Sequence, residues 1–196
     1  MLLTCFCFVS STYAWLVAKT EPIVNTFTAG NINISLGAYT GTSFKMIPGA
    51  AYSGDAHVTV VANSEDCWLF IKIEKSENFD TFMTFEVPTT DSASPDDAEP
   101  QEIDWLLIKS DGNTSVYCRA VDYAEQDQVF HILKEDANGN SLFVKTEVTK
   151  TQLDAVTTGN QPKLTFTAYA VQRLGFENDP MGAWAEAENL DTSLLH

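Results

Sequence analysis

Apolar residues recur at even spacing in six stretches of this chain: Ile32, Ile34 and Leu36; Val58 and Val60; Cys67, Leu69, Ile71 and Ile73; Met83, Phe85 and Val87; Leu142, Val144 and Val148; Leu164, Phe166, Ala168 and Ala170. Side chains on an extended strand alternate between faces, so each series marks one buried face with a more polar one opposite. The pattern predicts an all-β fold, an antiparallel jelly-roll-like β-sandwich with a few short helices. Turn signals fall between the runs at Pro48-Gly49, Ser53-Gly54, Asp111-Gly112 and Asn138-Gly139, the last two being hairpin dipeptides. A chain of 196 residues, 44% of them hydrophobic, supplies one such core and reads as one domain over residues 31–196.

Two segments depart from the alternation. Residues 88–102 hold Pro88, Pro95 and Pro100, no aromatic residue, and the carboxylates Asp91, Asp96, Asp97 and Glu99. They read as a mobile, solvated acidic loop, because neither the spacing nor a turn-making glycine of a Ca²⁺ loop is there. Near the C-terminus, Asp179 followed by Pro180 reads as an N-cap with proline at the first helical position. A short helix through Ala183-Trp184-Ala185-Glu186-Ala187-Glu188 is expected after it.

Residues 1–14 have a different grammar. Met1 to Val9 is apolar and Ser10-Ser11-Thr12-Tyr13-Ala14 is small and polar apart from Tyr13. Thr12 and Ala14 supply the small side chains that a signal peptidase needs, which places cleavage between Ala14 and Trp15. A basic n-region is lacking, so the segment reads as a partial signal peptide whose true start lies upstream. It is too short to be a permanent membrane anchor, and no later segment approaches ~20 apolar residues. The expected location is extracellular, secreted into a matrix or held at the cell surface. A net charge of −16 would repel phosphate backbones, so nucleic acid is not an expected partner.

Removal of residues 1–14 leaves Cys67 and Cys118 as the cysteines of the mature chain. Both lie in strand-like runs. A disulfide between them and two free thiols buried as small hydrophobes are both open readings. Chemistry of other kinds leaves little trace. His57, His131 and His196 are scattered outside any H-E-x-x-H run, and His131 with Glu135 four residues on reads as a strand-end residue. There is no G-x-S-x-G elbow and no phosphate-cradling loop. We therefore expect no enzyme activity, no metal and no cofactor. Asn33-Ile34-Ser35 and Asn113-Thr114-Ser115 match a glycosylation acceptor pattern short enough to occur by chance. Trp15, Trp68, Trp105 and Trp184 suit core or interface packing better than a sugar-binding face.

Several segments resemble the TasA/camelysin family, exported β-sandwich proteins of the Firmicutes biofilm matrix processed by a dedicated signal peptidase. The resemblance rests on Thr12-Tyr13-Ala14-Trp15, Asn25-Thr26-Phe27-Thr28-Ala29-Gly30-Asn31-Ile32 and Ile47-Pro48-Gly49. It continues through Asp66-Cys67-Trp68-Leu69-Phe70-Ile71-Lys72-Ile73, Thr167-Ala168-Tyr169-Ala170-Val171-Gln172 and the last aromatic, Trp184. Where the family commonly has Asp-Thr-like residues after the cleavage site, Trp15-Leu16-Val17-Ala18-Lys19-Thr20 follows here, and Cys67 and Cys118 stand as additions.

The resemblance implies filament assembly, in which the segment freed by signal cleavage joins the sandwich of the neighbouring subunit as an extra strand. Such augmentation satisfies an open sheet edge with main-chain hydrogen bonds while alternate side chains fill an apolar groove. Residues 15–30 are the donor candidate, with Trp15, Val17, Ile23 and Phe27 as plugs and Pro22 where no ladder donor is needed. An ordinary self-paired N-terminus is the competing reading of the same residues. The implied partners are further copies or related matrix subunits, and the signal peptidase. A camelysin-like surface metalloprotease and a carbohydrate- or ligand-binding sandwich module are the alternatives.

Overall fold

The computed structural model describes residues 31–37, 45–89 and 105–193, with the side chains of all of these except 190–193. In chain order the strands are β1 (Ile34–Gly37), β2 (Ala51–Tyr52), β3 (His57–Val60), β4 (Cys67–Lys75), β5 (Met83–Thr84), β6 (Leu106–Asp111), β7 (Thr114–Val121), β8 (Gln128–His131), β9 (Leu142–Val144) and β10 (Leu164–Gln172). The helices are α1 (Phe79–Phe82), α2 (Lys150–Asp154) and α3 (Pro180–Ser193). The ladders form three sheets, ordered β10-β4-β7-β6, β1-β3-β8 and β2-β9-β5. Among the described residues, every pairing between these strands is antiparallel, which is the sandwich architecture expected from the alternation.

The main core lies between the four-stranded sheet and the two smaller ones. It joins Leu69, Ile71 and Ile73 of β4 to Val58 and Val60 of β3, Val144 of β9, and Trp105, Ile132 and Phe79. Each of these side chains is at most 3% exposed, and each contributes on the order of 2 kcal/mol of burial. Two turns hold the strands in register where the sequence signals stood. Ala50 N–H donates to Ile47 C=O at 2.9 Å across Pro48-Gly49, with Gly49 at φ 77°, a value that only glycine adopts without strain. Gly112, at φ 54°, opens the two-residue loop between the paired residues Asp111 and Thr114.

The rule of one polar face fails at β4. Trp68 and Phe70, which alternate with its core-facing residues, are buried too, at 2% and 0% exposure. The cause is α3, which covers the far side of the sheet and packs Ala183, Trp184 and Ala187 onto Trp68, Phe70, Val116 and Cys118. Trp184 meets Phe70 at 5.5 Å and Tyr169 edge-on at 5.3 Å between ring centroids. The helix starts where expected, with Asp179 Oδ1 accepting from Gly182 N–H at 2.8 Å, but it runs on to Ser193 rather than stopping near Glu188. At other places the alternation overreaches: Leu36 is exposed on β1, and Ile32, Phe85, Val87 and Val148 lie in irregular chain beside β1, β5 and β9. The acidic loop lies outside the described residues beyond Thr89, which bridges to Trp105.

Candidate functional site

Sheet edges decide whether a sandwich can accept a further strand, and the edges here are unequal. β2 and β5 are two residues long, too short to template a partner. β6 carries Lys109 and Asp111, and its register shifts between Leu107 and Lys109, so charge and a bulge protect it. β1 and β8 have four residues each. β10 is different: its nine residues, Leu-Thr-Phe-Thr-Ala-Tyr-Ala-Val-Gln, contain no charge, no proline and no break in register. Among the described residues it has one ladder partner, β4.

The ladder fixes which of its backbone groups point outward. Arg173 N–H donates to Asp66 C=O at 2.9 Å and Ser76 N–H donates to Lys163 C=O at 3.0 Å, one just past each end of the β10–β4 pairing. Hydrogen-bonded pairs alternate in an antiparallel ladder, so Thr165, Thr167, Tyr169 and Val171 face β4 with both backbone groups. Leu164, Phe166, Ala168, Ala170 and Gln172 therefore turn their N–H and C=O away from β4. The side chains of Leu164, Phe166, Ala168 and Ala170 pack on the main core. An apolar rim thus lies beneath a row of outward-pointing donors and acceptors, which is the arrangement strand addition needs.

Ala14, Trp15, Val17, Ile23 and Phe27, expected at the cleavage site and in the donor, lie outside the described residues. Cys67 and Cys118 are both free and buried, so the disulfide reading is corrected. Cys67 pairs with Val121 and Cys118 with Phe70, an offset of three residues between adjacent strands. That offset separates the cysteines by about 10 Å along the strand, beyond the ~7 Å limit for bridging, and its odd parity puts them on opposite faces. Cys67 belongs to the main core and Cys118 to the layer under α3. Trp68, Trp105 and Trp184 are buried, so none of them lines an exposed sugar-binding face. Trp68 Nε1–H donates to Phe176 C=O at 2.7 Å and Trp105 Nε1–H donates to His131 C=O at 2.8 Å.

A second grouping joins residues far apart in the chain. The β3–β8 register sets His57 directly opposite His131. Asp55, just before β3, places Oδ1 3.0 Å from His131 Nδ1 and 3.4 Å from His57 Nδ1. Glu135, four residues after His131, completes a group in which one ligand atom each from Asp55, His131 and Glu135 lies within 4.8 Å of the others. The sequence shows the His131…Glu135 spacing, and the structure bears out His131 as the end of a strand. What the sequence hides is the strand pairing that brings Asp55 and His57 to it. Among the described residues, no helix is long and apolar enough to cross a membrane. No protein-family model, no curated protein and no solved structure matches this chain.

Proposed function

We propose that this chain is a secreted structural subunit of the cell surface or biofilm matrix. In this reading it assembles into filaments by donating residues 15–27 of one copy to the β10 edge of the next. The observation that carries the reading is β10 itself, a nine-residue edge strand that carries no charge, no proline and no bulge and, among the described residues, has β4 as its ladder partner. A strand of that length spans about 30 Å, which thirteen extended donor residues cover with room to turn. Trp15, Val17, Ile23 and Phe27 all fall on odd positions, hence on one face of an extended donor. The TasA/camelysin resemblance supports the same mode of assembly. A head-to-tail contact of this kind does not close on itself and therefore propagates.

Negative-stain microscopy of the secreted protein tests the reading. Fibres are expected from the chain beginning at Trp15 and not from a chain lacking residues 15–27. Ala168→Pro removes an N–H that points away from β4 and leaves the β4 ladder intact, so it should abolish fibres while circular dichroism still shows a folded sandwich. Fibres from the folded Ala168→Pro protein would remove β10 as the acceptor.

A further inference from the structure

The fold carries the backbone around Asp55, His131 and Glu135 on well-held supports. Gly54 N–H donates to the hydroxyl of Ser141, which is fully buried, at 3.0 Å. Ile132 N–H donates to Ala56 C=O at 2.8 Å, stitching the Asp55 turn to the chain leaving β8. The carbonyl of His131 is held by the indole N–H of buried Trp105. Beyond Glu135, Asp136 Oδ1 accepts from Asn138 N–H at 2.8 Å and Asn140 N–H at 2.9 Å, closing the next turn. His57 is confined as well: a Cβ on Gly37, its partner across β1–β3, would lie 2.4 Å from His57 Nε2. The imidazole therefore packs on bare backbone with Nδ1 directed at Asp55.

These supports bring an imidazole and two carboxylates within 4.8 Å of one another from two segments whose members Asp55 and His131 are 76 residues apart. A tetrahedral ion with ligands at about 2.0–2.1 Å spaces its ligand atoms about 3.3 Å apart. The Asp55 Oδ1 to His131 Nδ1 separation of 3.0 Å is already close to that edge, and Glu135 reaches it by rotating an exposed side chain. The ammonium of neighbouring Lys134 is taken up by Glu86 at 3.1 Å, so it does not neutralise Glu135. His131 is 58% exposed as a side chain and Asp55 20%, which gives an ion access from solvent.

We propose that Asp55, His131 and Glu135 bind a divalent late first-row transition ion of the Zn²⁺ type, with His57 Nδ1 orienting Asp55 by holding its main-chain carbonyl at 3.3 Å. One nitrogen and two oxygen donors suit Zn²⁺, Cu²⁺ or Ni²⁺, whereas Ca²⁺ and Mg²⁺ take oxygen ligands and gain nothing from the imidazole. The coordination set leaves a fourth position to water. The bound ion would tie the end of the β8 edge strand and the segment after it to the turn that leads into β3. The site is independent of strand donation.

Calorimetric titration of the full chain with Zn²⁺ in excess Mg²⁺ tests the site, with Co²⁺ as a spectroscopic probe. Saturable uptake of one equivalent is expected, with visible Co²⁺ bands of a four- or five-coordinate centre. His131→Gln and Glu135→Gln change exposed side chains, so the folded proteins remain measurable, and each should weaken Zn²⁺ binding at least roughly tenfold. His57→Gln should weaken it by ~10-fold or more through loss of the group that orients Asp55. Non-saturable uptake, unaltered affinity in both glutamine variants, or equal displacement by Ca²⁺ would each overturn the site and assign the ions to the acidic surface at large.

Discussion

Burial pushes the thiol of Cys67 up to about 11 and that of Cys118 up to about 12, against 9.0 for an exposed cysteine. At Cys67 the Arg173 guanidinium opposes the rise and Asp66 adds to it. Both thiols hold their proton more tightly in the folded chain than in the unfolded one. Their contribution to stability is thus complete below about pH 9 and is lost as the pH climbs toward 11–12. Tyr117, also raised by burial, acts in the same direction. The midpoint of urea denaturation should therefore fall between about pH 8 and about pH 10.5, and fall less steeply in the Cys67→Ala/Cys118→Ala protein. Equal slopes in the two proteins would show that the thiols titrate alike in both states. The residue scale is also where sequence spacing was least informative. Two cysteines in strand-like runs suit a bridge equally well until the register is known, and here a three-residue offset sends them to opposite cores.

Elements were more legible at their starts than at their ends. Asp179 and Pro180 announce α3 because a side-chain acceptor and a residue lacking N–H both suit the first turn. Nothing local stops the helix at Glu188, and packing of Trp184 and Ala187 on the sheet carries it onward. The same helix explains why β4 is buried on two faces, a fact invisible in β4 alone. Thr149 to Gln152 is a capping box, with Thr149 Oγ1 accepting from Gln152 N–H and Gln152 Oε1 accepting from Thr149 N–H. It opens a helix of five residues, too short for a periodic pattern to reveal. Because α3 seals the second core, its cap is felt by the whole sandwich. Asp179→Ala should cost about 1 kcal/mol in chemical denaturation, and Asp179→Ser should restore most of it. A loss as large in the serine protein would point to a role for the Asp179 carboxylate other than capping.

At the scale of the whole molecule, the sandwich was legible because alternation is a one-dimensional property, but the His57–Asp55–His131–Glu135 group was not. Alternation tells which face a residue takes and not which strand lies beside it, and the group exists through the β3–β8 register. Charge is a further whole-molecule property, and it bears on the proposed assembly. Residues 1–14 contain no charged side chain, so the chain beginning at Trp15 keeps the full net charge of −16. In the proposed filament, subunits joined through β10 would stack that charge at the spacing of one domain, and at low ionic strength their fields would overlap. The Debye length shrinks from about 30 Å at 0.01 M salt to about 8 Å at 0.15 M, which removes most repulsion between exposed charges. Strand pairing and apolar plugs, by contrast, are not weakened by moderate salt. Fibre elongation followed by light scattering should therefore accelerate between about 0.01 M and 0.15 M NaCl and then level off. It should accelerate again as the pH is lowered toward the isoelectric point near 4.3. The Ala168→Pro protein should stay monomeric across the same series, which separates edge pairing from charge-neutral precipitation. Elongation fastest in the lowest salt would mean that complementary charges hold the subunits together, and the β10 edge would lose its place as the joint.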